Sequence, residues 1–155
     1  MNKRGISAVV ATVLIILITV AAITIIWTAI IPMINNNLKS SNQCMLAQGD
    51  LRIGPNGYTC INGSNITVEI ARQAADYDLA GIQVIIYKGG TSTSYTINDT
   101  ASDPLPGKNL AKVYSMNNTS YTGADRIVIA PIVRAGNVKQ TCGEAQSTPL
   151  MNCSA

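Results

Sequence analysis

Residues 6–34 read ISAVVATVLIILITVAAITIIWTAIIPMI, twenty-nine positions without a charged side chain. Lys3-Arg4-Gly5 precede this run and Asn35-Asn36-Asn37 follow it. As a helix it would be about 43 Å long, more than the ~30 Å hydrocarbon core of a bilayer. Ile, Leu and Val dominate it, and each favours insertion near the bilayer centre by roughly 0.3–0.6 kcal/mol. With no buried Asp, Glu, Lys, Arg or His, the run has no proton relay or ion site. Lys3 and Arg4 lie before it and the next charge is Lys39, so the positive-inside rule puts the amino terminus in the cytoplasm and the remainder outside. A signal peptide would have an apolar region of about 7–15 residues ending at a small-residue cleavage site. This run is far longer and leads into polar Asn and Lys.

Small residues in the run share a face. Ala8, Ala22 and Ala29 are spaced by multiples of seven, with Ala11, Thr12 and Thr19 beside them. Such a stripe admits a second helix closely, and in lipid close packing is what drives helices together. Trp27 near the far end suits a membrane interface.

Lys3-Arg4-Gly5 followed by Ile6-Ser7-Ala8-Val9-Val10-Ala11-Thr12-Val13-Leu14 resembles the amino terminus of archaeal type IV pilins. In that family a short basic leader ends in Gly, and a prepilin peptidase cuts before the retained apolar helix. The resemblance implies a scissile bond between Gly5 and Ile6. Bacterial type IV pilins usually begin with Phe and carry a Glu four residues on, where this chain has Ile6 and Val10. Many archaeal pilins lack that Glu, and Ser7-Ala8-Val9-Val10 is similar to their Ser-Pro-Val-Ile opening, without the Pro. Archaellins share the leader logic. The resemblance covers about the first thirty-five residues. It implies a self-assembling filament subunit, driven by an assembly ATPase and a membrane platform protein, since the chain has no nucleotide-binding motif of its own.

Residues 39–155 suffice for one modest domain. Eleven Lys and Arg stand against eight Asp and Glu; loss of Lys3 and Arg4 would leave a near balance, which gives nucleic acid nothing to recognise. The chain has no His and no Phe, which excludes histidine-based catalysis and most zinc sites.

Pro32 should loosen the helix locally, and Asn35–Gln43 should form a helical or frayed neck. Beyond Leu51 the pattern has period two. Ile66, Val68 and Ile70 alternate with Thr67, Glu69 and Ala71, as in a strand with one buried face. Residues 82–87 predict a central strand, joined by Gly89-Gly90 to an exposed Thr-rich strand over 91–97. Leu110–Met116 and Arg126–Arg134 predict two more, the latter with a bulge or an edge at Pro131, before a turn at Ala135-Gly136-Asn137. The expected class is α+β: a long N-terminal hydrophobic helix followed by an antiparallel β-sandwich head. The expected spans are 1–5 for the leader, 6–43 for the assembly helix and neck, and 44–155 for the head.

Cys44, Cys60, Cys142 and Cys153 all follow the apolar run, on the oxidising side. Four cysteines allow three pairings. Short loops favour Cys44 with Cys60 and Cys142 with Cys153, each stabilising by about 3 kcal/mol. No CxxC spacing supports a metal or redox site, and no cofactor is expected. Asn62, Asn65, Asn98, Asn117, Asn118 and Asn152 each begin an Asn-x-Ser/Thr sequon, six of the ten asparagines from Asn42 onward, where chance would give roughly two. This excess predicts a glycosylated outer surface. Asp76 and Asp78 have no third carboxylate at calcium-loop spacing, and Glu69 and Glu144 form no recognisable catalytic pair.

The expectation is therefore a non-enzymatic structural subunit of an archaeal pilus-like filament, membrane-held as a precursor and extracellular when mature. The rival is a monomeric, single-pass membrane-anchored extracellular binding protein that keeps Lys3-Arg4-Gly5 uncut.

Overall fold

The computed structural model describes residues 3–54, 58–101 and 103–153. The chain divides into two compact units, Met1–Leu38 and Lys39–Ala155. Helix α1 spans Lys3–Ile25, a π-helical turn spans Ile26–Ile30, and α2 spans Ile31–Asp50. The π turn has a local cause. Pro32 has no N–H to give, and its ring crowds the carbonyl four residues back. Widening the preceding turn relieves the crowding, and the Ile31 N–H bonds to the Ile26 carbonyl, five residues away. The helix then continues through Asn35–Gln43 to Asp50, so the neck is helical.

Among the described residues nine strands follow: β1 (Leu51–Ile53), β2 (Cys60–Asn62), β3 (Asn65–Arg72), β4 (Leu79–Lys88), β5 (Thr91–Asn98), β6 (Leu110–Asn117), β7 (Arg126–Ala135), β8 (Val138–Thr141) and β9 (Gln146–Pro149). A 3₁₀ turn lies at Thr119–Tyr121. All strand pairings are antiparallel. In the first sheet β3 pairs with β6 on one side and with β1 and β2 on the other; in the second the order is β5-β4-β7-β8, with β9 also on β7.

The turns follow from residue type. Gly63, at φ +61°, opens the two-residue β2–β3 loop; Gly89 and Gly90, at φ +53° and +86°, form the β4–β5 loop. These left-handed values match the primed turns that suit twisted hairpins. β7 tolerates Pro131 because β8 pairs only Ile132–Ala135 and β9 only Arg126–Ile129. The proline therefore sits where the ladder on that side is interrupted, and its carbonyl accepts from the Cys142 N–H at 2.8 Å. The expected irregularity also occurs on the partner, as a register shift between Leu79 and Gly81.

One core lies between the sheets. Ile66, Val68 and Ile70 of β3 meet Ile82, Val84, Ile127 and Ile129 of β4 and β7, all essentially without exposure. Burying each such side chain contributes about 1.5–3 kcal/mol. The class is α+β, with antiparallel sheets that curl around this core as a half-barrel. The sheets are stitched along one side, where the Ile53 N–H of β1 donates to Gln146 Oε1 of β9 at 2.8 Å. Strands β5 and β6 form the opposite edges.

The final turns of α2 belong to the head. Ala47 is fully buried in the core, and Asp50 is buried at the helix end. Ser40 Oγ donates to Gln140 Oε1, and the Asp78 N–H donates to Gln43 Oε1 at 2.9 Å. The head unit consequently begins at Lys39, ahead of the boundary at residue 44 read from sequence.

The disulfide pairing corrects the short-loop expectation. Cys44 bonds Cys142 and Cys60 bonds Cys153, across 98 and 93 residues. Topology overrides loop length. The segment before Cys142 is held on β7 through β8, whereas Met151–Cys153 lies along β2, where Ile61 bridges Asn152 and the Cys153 N–H bonds the Ile61 carbonyl at 3.0 Å.

Candidate functional site

The first candidate is the apolar helix surface. Among the described residues one helix is long and apolar enough to cross a membrane. Its large side chains are exposed, with Val9 at 63% and Ile18 at 65%. Apolar surface this extensive needs lipid or protein against it. Gly5 and Ile6, the expected cleavage pair, fall within α1; their side chains, with Met1 and Asn2, lie outside what is described.

Of the expected packing residues, Ala8, Ala11, Thr12, Thr19 and Ala22 lie on α1. Thr12 and Thr19 donate to the carbonyls of Val9 and Ile16, both at 2.8 Å. Their hydroxyls are thus satisfied within the helix, and the face needs no outside polar partner. Ala29 lies within the π turn. A turn with i→i+5 bonds holds more residues than an α turn, so the seven-residue step from Ala22 no longer returns to the same face. Ala29 is offset from the stripe.

The second candidate is a pole of the head. Asn62 pairs with Asn65, Asn65 with Asn117, the Asn118 N–H bonds the Ser64 carbonyl at 3.2 Å, and Asn152 bridges Ile61. Five of the six sequon asparagines are therefore gathered where the β2–β3 hairpin, the end of β6 and the segment Met151–Cys153 meet. Four of these five are exposed; Asn65 is half-buried. Ser64 donates to Asn117 Oδ1 and Ser115 to Asn65 Oδ1, both at 2.9 Å, and the Ser120 N–H donates to Asn118 Oδ1 at 3.0 Å. Asn98 is apart, at the end of β5. Ser154, which completes the Asn152 sequon, lies outside the described residues. A cleft of about 420 Å³ opens at this pole, between Gly63, Gly123, Leu150 and Met151. It has no charged lining residue.

The acidic residues are engaged separately. Asp76 pairs with Lys108 at 2.5 Å and Asp78 with Arg134 at 3.9 Å. The hydrogen bond from Lys108, then its charge, holds the Asp76 carboxyl below its usual range. Among the described residues no three His, Cys, Asp or Glu side chains converge on a metal position.

Sequence reading missed one constellation. Asp50 is 4% exposed. Its carboxylate accepts from the Ala75 N–H and the Tyr77 hydroxyl, both at 2.9 Å. Arg72 Nε stands 3.9 Å from Asp50 Oδ2, close enough to pair electrostatically but too far to hydrogen-bond. The Arg72 guanidinium lies over the Tyr77 ring at 4.5 Å and donates to the Tyr77 carbonyl at 2.9 Å. Burial first, and then the bond to Asp50, push the Tyr77 hydroxyl pKa upward. This cluster fixes the end of α2 to β3. A cleft of about 370 Å³ lined by Met45, Leu46, Gly49 and Gln73 opens beside it, and no local sequence pattern announces the cluster.

No protein-family model matches the chain, and no curated protein or solved structure does.

Proposed function

We propose that this chain is a structural subunit of an archaeal type IV pilus-like surface filament. The supporting observation is the apolar helix: exposed from Ala8 to Ile30, with Lys3-Arg4-Gly5 ahead of its apolar run, and internally satisfied at Thr12 and Thr19. In the membrane such a surface faces lipid; in a filament it would face copies of itself, so the cost of leaving lipid is offset by packing. On this reading a prepilin peptidase cuts between Gly5 and Ile6. An assembly ATPase and a membrane platform protein then drive transfer, and the head projects from the cell with sugars on the sequon pole. The chain itself is not an enzyme on this reading.

The test is the amino-terminal residue of the chain in filaments sheared from the source cells, read by mass spectrometry. Ile6 is expected. A chain that begins at Met1 or Asn2 and stays in membranes would instead make it an anchored monomeric surface protein. Replacing Gly5 by Trp should block both processing and assembly; filaments of normal length from that variant would sink the cleavage claim.

A further inference from the structure

Strand β5 reads Thr91-Ser92-Thr93-Ser94-Tyr95-Thr96-Ile97-Asn98, and all but Ile97 are exposed. Among the described residues it pairs with β4 alone. The tight Gly89-Gly90 turn makes Lys88 and Thr91 a hydrogen-bonded pair, and alternation from there leaves the N–H and C=O groups of Ser92, Ser94 and Thr96 pointing away from β4.

Edges of this kind are normally blunted by charge, proline, shortness or cover. The other edges of the head fit that rule. β1 has Arg52, β6 has Lys112, β8 has Lys139, β9 ends in Pro149, and three-residue β2 is covered by Met151 and Cys153. β5 is eight residues long and has no charge and no proline. Nor does its pairing with β4 show a bulge.

We infer that β5 is a pairing edge whose partner is β5 of a second copy of this chain, added antiparallel about a two-fold axis at Ser94. The strand is self-complementary in that register. Ser94 meets its mate, Ser92 meets Thr96, and on the other face Thr93 meets Tyr95 and Thr91 meets Ile97. Hydroxyl–hydroxyl and aromatic–β-branched pairs are favourable across strands, and no like charges are opposed. The same register brings Asp99 of each copy beside the Gly89-Gly90 turn of the other, next to Lys88. A foreign peptide is selected through pockets for its alternate side chains, and the short side chains of Ser92, Ser94 and Thr96 build none.

A two-fold contact closes on two copies and uses up both edges, so it does not by itself build the screw repeat of a filament. Resting on the filament reading, β5 pairing therefore joins heads of separate filaments or of facing cells, and the partner of the head is another head.

The test places single full-length chains in lipid nanodiscs, so that association of two discs reports contact between heads. Wild-type discs should pair. Ser94→Lys and Ser94→Asp should each weaken pairing by about tenfold or more through like charge at the axis, and an equal mixture of the two should restore it. Wild-type discs that remain single, or Ser94→Lys discs that pair as wild type, would overturn the proposal, and so would failure of the mixture to recover. Filaments are scored separately. Ser94→Lys filaments that form but no longer bundle support both readings, whereas disc pairing without any filament removes the filament reading and leaves β5 pairing intact.

Discussion

Asp50 ends a helix with a negative charge, where the helix dipole disfavours one, and it does so in a buried position. Two hydrogen bonds and the nearby Arg72 charge compensate. Asp50→Ala should therefore do more than delete contacts, because it leaves the half-buried Arg72, whose Nε is fully buried, without its counter-charge. A loss of about 3 kcal/mol is expected in denaturant unfolding, and an unchanged midpoint would refute the compensation argument. Tyr114 supplies a pH test. Burial first, then Asp103 and Asp99, push its hydroxyl up to about 12, and it donates to the Pro104 carbonyl at 2.9 Å. A pKa raised on folding stabilises below the unfolded value, about 10, and that contribution fades as pH climbs toward the folded value. Stability should thus be insensitive to this group at neutral pH and decline between about 10 and 12. Tyrosinate absorbance should show late ionisations, of which Tyr114→Phe removes one while that of Tyr77 stays.

Strands β3 and β4 were legible because their apolar residues recur on the core side. β3 alternates along its length as Ile66, Val68 and Ile70 require, and residues 82–87 lie in the centre of the second sheet. What adjacent residues cannot encode is which distant segments meet. The division of the β7 ladder between β8 and β9, the gathering of five sequons and the Asp50 cluster all arise from long-range pairing. Ala29 marks a subtler limit. Its heptad spacing assumes a regular helix, and Pro32 three residues later invalidates the assumption. Pro32→Ala should return the turn to α geometry and Ala29 to the stripe. In micelles, NMR carbon shifts and amide exchange over residues 26–32 would report it; a π turn that persists would locate its cause elsewhere.

For the whole molecule, two disulfides close loops of 98 and 93 residues, far longer than sequence proximity suggested. In the chain-entropy account each contributes about 4–5 kcal/mol rather than about 3. Non-reducing peptide mapping should recover Cys44 linked to Cys142 and Cys60 linked to Cys153. Removing either pair by alanine should lower stability by several kcal/mol.

Those connections also order events in time. A ribosome delivers Cys44 and Cys60 together, long before Cys142 and Cys153 exist as partners for either. During that interval the only available bridge is the wrong one, between the two early thiols. The head cannot be locked stepwise as it emerges; an isomerase must undo that early bridge, or oxidation must wait until the last strand has found its place. Trapping nascent chains with a thiol-blocking reagent would distinguish the two: a transient Cys44–Cys60 product means repair, and free early thiols mean delay.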